Sequence, residues 1–146
     1  MTMNIILCAS RDVNDKAIVE NIFFNYVLRV QYESVISLKD IRFILVDDGA
    51  GSNHLKAACR KYGITPEVHV PRWNDLTEYP QLIKEGSQGK YNLFAPKNRN
   101  RRVLDSCGID DTFALCVYKT KKDISDFLSK AKQYPNVFIQ LEKIKE

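Results

Sequence analysis

Two polar segments that follow apolar runs carry residue types suited to binding an anion. Ser10-Arg11-Asp12 comes directly after the first run, and Gly49-Ala50-Gly51-Ser52-Asn53 comes directly after the second. The two glycines let the backbone turn sharply, and a helix that starts at such a turn points backbone N–H groups at an anion. A Gly-x-Gly sequence after a strand is also often only a tight turn, so both interpretations stay open. The candidate ligand-binding residues in these segments are Ser10, Arg11, Gly49, Gly51, Ser52 and Asn53.

Three residues further along the chain complete the set of candidate ligand-binding residues: Trp73, Arg99 and Asn100. A guanidinium group offers paired donors that match a phosphate, so Arg99 could clamp one, or it could lie on a solvated helix face. Trp73 could stack on a base, or it could anchor its loop on the core. These residues favour a nucleotide-like ligand if they converge in space.

Acidic neighbours leave further alternatives open. Arg11 could pair with Asp12 or Asp47 instead of contacting a ligand. Asp47 and Asp48 could work as an acid/base pair or hold Mg²⁺, although such a pair more often caps a turn. No catalytic residue is assigned from these patterns.

The cysteines and histidines lack the spacing of a metal site. No two cysteines form a C-x-x-C pair, and the two histidines, His54 and His69, stand far apart. A free cysteine on an apolar face behaves as a small hydrophobic residue. We therefore predict no metal and no cofactor, with three cysteines inside the core: Cys8, Cys59 and Cys116.

Continuous apolar runs alternate with helical periodicity along the whole chain. The runs predict strands that are buried on both faces, and apolar residues at i, i+3, i+4 and i+7 predict helices between them. Predicted strands are 4–9, 41–46, 67–70, 112–118 and 137–141. Predicted helices lie at about 15–32, from Ser52 or Asn53 to Gly63, from Pro96 to Cys107, and around 124–131.

This alternation predicts an α/β fold, a Rossmann-like three-layer sandwich with a central, mostly parallel sheet of about five strands. A single domain covers 1–146, and 74–90 is an inserted loop with one helical turn near 80–85. Ligands of such sheets bind beyond the carboxyl ends of the strands, where the topology changes direction. We therefore expect the Ser10 and Gly49 loops to wall one crevice, with Arg99 at its rim.

Composition and charge limit the classes of partner that the chain is expected to bind. The 146 residues are 45% hydrophobic and 27% charged, which argues against a disordered chain. The net charge of +4 is mild, and its basic clusters at 97–102 and 119–122 are separate, so nucleic acid should bind only weakly if at all. No apolar run approaches the roughly 18–20 residues of a membrane span, and no secretory signal is legible. We expect a cytoplasmic location and no membrane partner.

The order of these segments resembles a known family. Ser10-Arg11-Asp12, the Gly49-to-Leu55 turn, Trp73 and then Ala95-Pro96-Lys97-Asn98-Arg99-Asn100 occur as in the YspA-like branch of the SLOG superfamily. Its relatives include the DprA/Smf proteins and the LOG phosphoribohydrolases, and members of the branch are frequent in phage genomes. The resemblance covers about residues 4–141.

The resemblance implies a binding domain for a nucleotide or nucleotide-derived ligand related to ADP-ribose. By this resemblance Ser10 and Arg11 meet the ligand from the first loop, and Arg99 and Asn100 close the site. By the same resemblance the phosphate turn is formed by Gly49, Gly51, Ser52 and Asn53. The chain departs from the family because Asp47-Asp48 precede the turn and 118–123 contains no glycine, where LOG enzymes carry Pro-Gly-Gly-x-Gly-Thr. These departures favour a sensor-like binder over a phosphoribo- or N-glycosidic hydrolase.

Two alternatives belong to a different functional class. The domain could be a degenerate scaffold that contacts a protein partner, as a small phage protein contacts a host target, or one that binds single-stranded nucleic acid weakly. By analogy with the family, a homodimer is also an expectation.

Overall fold

A computed structural model describes residues 3–145. Strands and helices alternate along this part of the chain, as the apolar periodicity predicts. The strands are β1 (Met3–Ala9), β2 (Ile41–Val46), β3 (Glu67–His69), β4 (Ile83–Gly86), β5 (Gly89–Asn92), β6 (Thr112–Tyr118) and β7 (Val137–Lys143). The helices are α1 (Lys16–Ser34), α2 (Ala50–Lys61), α3 (Ala95–Ser106) and α4 (Ser125–Ala131), with short 3₁₀ turns at Leu38–Asp40 and Lys121–Ile124.

Five strands form a central parallel sheet in the order β3-β2-β1-β6-β7, which confirms the predicted Rossmann-like architecture. In the middle of the sheet Ile6 of β1 aligns with Ile44 on one side and Ala114 on the other. The chain builds outward from β1 to β3 and then crosses to β6. The topological switch point therefore lies between the carboxyl ends of β1 and β6.

The helices cover both faces of this sheet and bury its side chains. α1 and α2 pack on the face that carries Ile5, Leu7 and Leu45, while α3 and α4 pack on the face that carries Ile6 and Ile44. All seven residues of β1 are buried, which is why its sequence is almost continuously apolar. The four cysteines are buried and free, as predicted for three of them, and burial raises the pKa of the Cys59 thiol to about 12.

The sequence predicts two helix ends correctly and the buried face of α1 only in part. The sequence predicts Asn14 or Asp15 as the N-cap of α1 and a left-handed glycine, Gly63, after α2. Asp15 is the cap and accepts from the Ile18 N–H at 3.1 Å, and Gly63 has a φ of 71°, so both predictions are confirmed. The apolar periodicity predicts Ile18, Ile22, Tyr26 and Val30 on the buried side of α1. Tyr26 and Val30 are buried, but Ile18 is 37% exposed, and Val19 and Phe23 are buried as well.

The predicted loop at 74–90 is wrong in its second half, where β4 and β5 form an antiparallel hairpin. Gly86 pairs with Gly89, so only Ser87 and Gln88 make the turn, and Gly89 adopts a φ of 110° that suits glycine. The expected helical turn at 80–85 does not form because residues 83–86 pair with the returning strand. No helix within residues 3–145 is both long and apolar enough to cross a membrane.

Candidate functional site

Hydrogen bonds tie the loops after β1 and β6 together at the carboxyl edge of the sheet. The hydroxyl of Ser10, which is fully buried, donates to Asp12 Oδ1 at 2.6 Å and accepts from the Lys119 backbone N–H at 3.0 Å. The Thr120 hydroxyl donates to the other oxygen of Asp12. Ser10 thus positions the two loops on either side of the switch point.

Hydrogen bonds from Ser10 and Thr120 hold the pKa of Asp12 below its ordinary value, because donors stabilise the ionised carboxylate. A carboxyl group whose pKa is lower in the folded state stabilises the fold above its ordinary pKa of about 4. That contribution disappears as the pH falls through the lower pKa of the folded protein. The loops at the switch point are therefore held most firmly at neutral pH.

We expect Asp12→Asn to lower the free energy of unfolding by about 1 kcal/mol at neutral pH, since the uncharged amide has one acceptor oxygen and can keep the bond from Ser10 or from Thr120 but not both. The difference from the unsubstituted protein should shrink at about pH 3, below the ordinary aspartate pKa, because the carboxyl group of the unfolded chain is protonated there. Urea unfolding at both pH values measures it. A difference that stays constant with pH would contradict the role given to the Asp12 charge.

The loop between β2 and α2 is organised by its own side chains. The Ser52 hydroxyl donates to the Val46 carbonyl at 3.0 Å and accepts from the Asp48 N–H at 3.0 Å. The prediction that Ser52 or Asn53 caps α2 is wrong, because the helix already starts at Ala50 and the buried Ser52 lies in its first turn. Gly49 precedes the helix with a φ of 116°, a conformation that favours glycine.

Gly51 allows α2 to approach the end of β1 closely. A Cβ atom at this position would lie 2.1 Å from the carbonyl oxygen of Ser10, well inside van der Waals contact. The expected adjacency of the Ser10 and Gly49 loops is confirmed. Gly51 itself is buried between them.

Arg99 of α3 holds the β2–α2 loop in place through its guanidinium group. Its Nη2 pairs with Asp48 Oδ1 at 2.8 Å, and its Nη1 donates to the Asp47 carbonyl at 2.8 Å. Its Nε donates to Asn100 Oδ1 at 2.9 Å. Arg99 is only 1% exposed, so it lies inside the structure and not at the rim of the crevice, where we expected it. Its guanidinium balances the charge of Asp48.

Asn100 and Trp73 also make contacts within the fold. Asn100 is buried, and its amide donates to Asp126 Oδ2 at 3.0 Å, which connects α3 to α4. Trp73 is 39% exposed and packs edge-on against Tyr91 of the hairpin, with 6.2 Å between the ring centroids. The indole thus anchors the hairpin and keeps part of its surface in solvent.

Burial divides the nine candidate ligand-binding residues into two groups. The buried residues are Ser10, Gly51, Ser52, Arg99 and Asn100. The exposed residues, which follow β1, β2 and β3 along one edge of the sheet, are Arg11, Gly49, Asn53 and Trp73. Only the second group presents surface to a ligand, and the first group supports the loops that carry it.

Sequence reasoning missed the roles of Thr120 as a partner of Asp12 and of Asp48 as the partner of Arg99. The signal for Thr120 was available, because parallel order around β1 brings the ends of β1 and β6 side by side. The pairing of Arg99 with Asp48 joins residues 51 positions apart and had no local signal.

No group of three or more His, Cys, Asp or Glu residues among 3–145 is arranged to hold a metal ion. Compared with known proteins, the chain matches no protein-family model, no curated protein and no solved structure. The fold defines it as a Rossmann-like α/β protein.

Proposed function

We propose that the carboxyl edge of the sheet binds a nucleotide or nucleotide-derived anion of the ADP-ribose type, and that the domain is a binder and not a strong catalyst. The observation that carries this proposal is the buried Arg99–Asp48 ion pair. A phosphate bound at the start of α2 would be repelled by the two carboxylates that precede the helix, Asp47 and Asp48. Arg99 neutralises the charge of Asp48. The resemblance to the YspA-like branch points to the same class of ligand.

The first turn of α2 supplies donors for the anion. Asn53 makes the first intrahelical bond, to the Gly49 carbonyl at 3.1 Å, so the amides of residues 50–52 precede the hydrogen-bonded ladder. Helix N-termini attract negative charge because their amides and the helix dipole point at it. Ala50 and Gly49 are exposed there.

Two exposed side chains would flank this turn. Arg11 follows β1, and its backbone N–H donates to Asp123 Oδ2 at 3.1 Å. The residue is exposed, so its guanidinium could meet a phosphate. Trp73 follows β3 and presents part of its indole to solvent, where a base could stack. Ser10, Gly51, Ser52, Arg99 and Asn100 serve as positioning residues in this arrangement.

Calorimetry with ADP-ribose, NAD, AMP and cyclic dinucleotides tests the proposal. We expect at least one to bind, and Arg11→Ala to weaken it about tenfold or more, because a charge-assisted hydrogen bond contributes roughly 1.5–3 kcal/mol. Arg60→Ala, at the opposite end of α2, is the matched control and should bind normally. At about 1 mM ligand, even a binding free energy of only about −4 kcal/mol is detectable. If no compound binds at that concentration, the nucleotide proposal fails.

The competing function is contact with a protein partner, and one observation favours it. Eight exposed large apolar side chains fall in the part of the sequence that runs from β3 to α3: Val68, Val70, Trp73, Leu76, Tyr79, Leu82, Ile83 and Leu93. Exposed apolar side chains that form one patch are typical of protein interfaces. Failure of the nucleotide panel would leave this surface as the better guide to function.

A further inference from the structure

A separate cavity of about 450 Å³ lies between α3, α4 and the segment that precedes the hairpin. Asn98 of α3 holds that segment in place by donating to the Pro80 carbonyl at 2.9 Å. The volume is in the usual range for small-molecule pockets. None of the nine candidate residues of the carboxyl edge lines this cavity.

The cavity carries a surplus of positive charge. Four cationic side chains line it, and two of them are paired with the lining carboxylates: Arg102 with Glu78, and Lys130 with Asp126. Lys97 and Arg101 are the other two. They stand at i and i+4 on α3, so both face the same side of the helix.

Lys97 and Arg101 form no direct ion pair within residues 3–145, although the hydrogen bond to Tyr134 and the nearby carboxylates of Asp105 and Asp126 raise the pKa of Arg101. The Lys97 ammonium lies 4.9 Å from the centre of the Phe94 ring. Arg101 donates to the Tyr134 hydroxyl at 2.9 Å and to Gln133 Oε1 at 3.4 Å, which are both neutral groups. An anion that enters the cavity could therefore receive charge-assisted hydrogen bonds from both side chains.

The Glu78 carboxylate has one oxygen atom that lacks a hydrogen-bond donor in the part of the chain that the structure describes. Its Oε1 accepts from Arg102, but its Oε2 is buried and has no hydrogen-bond partner within residues 3–145. A buried carboxylate oxygen without a donor is unfavourable, and a rotation of the Glu78 side chain that turns Oε2 into the cavity would let a ligand hydroxyl satisfy it. The anion should therefore also carry hydroxyl groups.

Aromatic surface completes the lining. Phe94 and Tyr79 both border the cavity, and Tyr79 is 78% exposed. Carbon-bound hydrogens of a ring can pack on such faces, since they are apolar. Cation, acceptor and aromatic face together match a ring that bears hydroxyl groups and one anionic substituent.

We propose that this cavity is a binding site for a phosphorylated sugar. Lys97 and Arg101 receive the phosphate, Glu78 Oε2 accepts from a sugar hydroxyl, and the sugar ring packs on Phe94 and Tyr79. This site is independent of the nucleotide site at the carboxyl edge. Either could exist without the other.

Titration of ¹⁵N-labelled protein with glucose 6-phosphate, inorganic phosphate and glucose tests the site. We expect glucose 6-phosphate to shift the amide signals of α3, Glu78 and Tyr79, and to bind at least about tenfold tighter than phosphate or glucose alone. Lys97→Ala and, separately, Arg101→Gln should each weaken binding about tenfold. Lys84→Ala, on the exposed strand β4, should leave it unchanged.

Three results would overturn the proposal. The first is no shift in α3 at about 10 mM glucose 6-phosphate, a concentration that detects millimolar affinity. The second is equal binding of inorganic phosphate, which would remove the role of the sugar. The third is a response confined to residues 49–53, which would place the compound at the carboxyl edge and leave the nucleotide proposal intact.

Discussion

Arg99→Ala should destabilise the protein by about 3–5 kcal/mol, a large share of the roughly 5–15 kcal/mol that usually separates folded from unfolded states. The arginine is 1% exposed, and the Asp48 side chain that it pairs with is only 13% exposed. Removing the guanidinium leaves a mostly buried carboxylate without its counter-charge and the Asp47 carbonyl without its donor. Thermal and urea unfolding measure the loss.

A double-mutant cycle separates the ion pair from the volume of the side chain. Asp48→Ala should relieve part of the Arg99→Ala penalty, with a coupling free energy of about 1–3 kcal/mol, because the unpaired charge is then absent. Lys61→Ala removes an exposed ion pair with Glu20 and should scarcely change the unfolding transition. If Arg99→Ala unfolds like Lys61→Ala, Arg99 does not hold the loop.

Gly51→Ala should destabilise the protein by about 3 kcal/mol, even though alanine gains up to about 1 kcal/mol over glycine in a helix. The new Cβ would lie 2.1 Å from the Ser10 carbonyl, which is backbone and cannot rotate away. α2 must therefore move off the end of β1. Unfolding free energies and amide shifts in β1 would report the displacement.

Gly108→Ala is the matched control. Gly108 has a left-handed φ of 58°, but an added Cβ meets nothing within 4 Å, so only the backbone cost of about 1–2 kcal/mol applies. Gly51→Ala should thus cost more than Gly108→Ala. The reverse order would show that α2 yields easily and that close packing at Gly51 matters little.

Much of the fold could be predicted because its signals are local. The run from Asn4 to Ala9 is apolar without alternation, which is typical of a strand covered on both faces, and β1 is such a strand. The Asp15 cap depends on contacts within one turn of helix, and so does the left-handed Gly63. The hairpin at 83–92 was missed because its strands are exposed and lack an apolar period.

The candidate site was predicted in position but not in the orientation of its side chains. The order of parallel strands placed the Ser10 and Gly49 loops together, and the structure confirms their contact. Whether a polar side chain faces solvent or its own protein could not be predicted in the same way. Ser10 and Ser52 resemble ligand contacts in sequence, yet both hydroxyls are used inside the fold.

The sequence by itself determined a parallel α/β sandwich, the edge of the sheet where polar loops gather, and the residue types available there. The tertiary structure decided that Arg99 faces inward to Asp48, that Gly51 is a packing residue, and that Lys97 and Arg101 line a cavity under the segment before the hairpin. The physical reason is the distance along the sequence over which each interaction acts. Hydrophobic periodicity and helix caps act within a few residues, whereas the partner of a buried charge depends on segments that meet only after the sheet has formed.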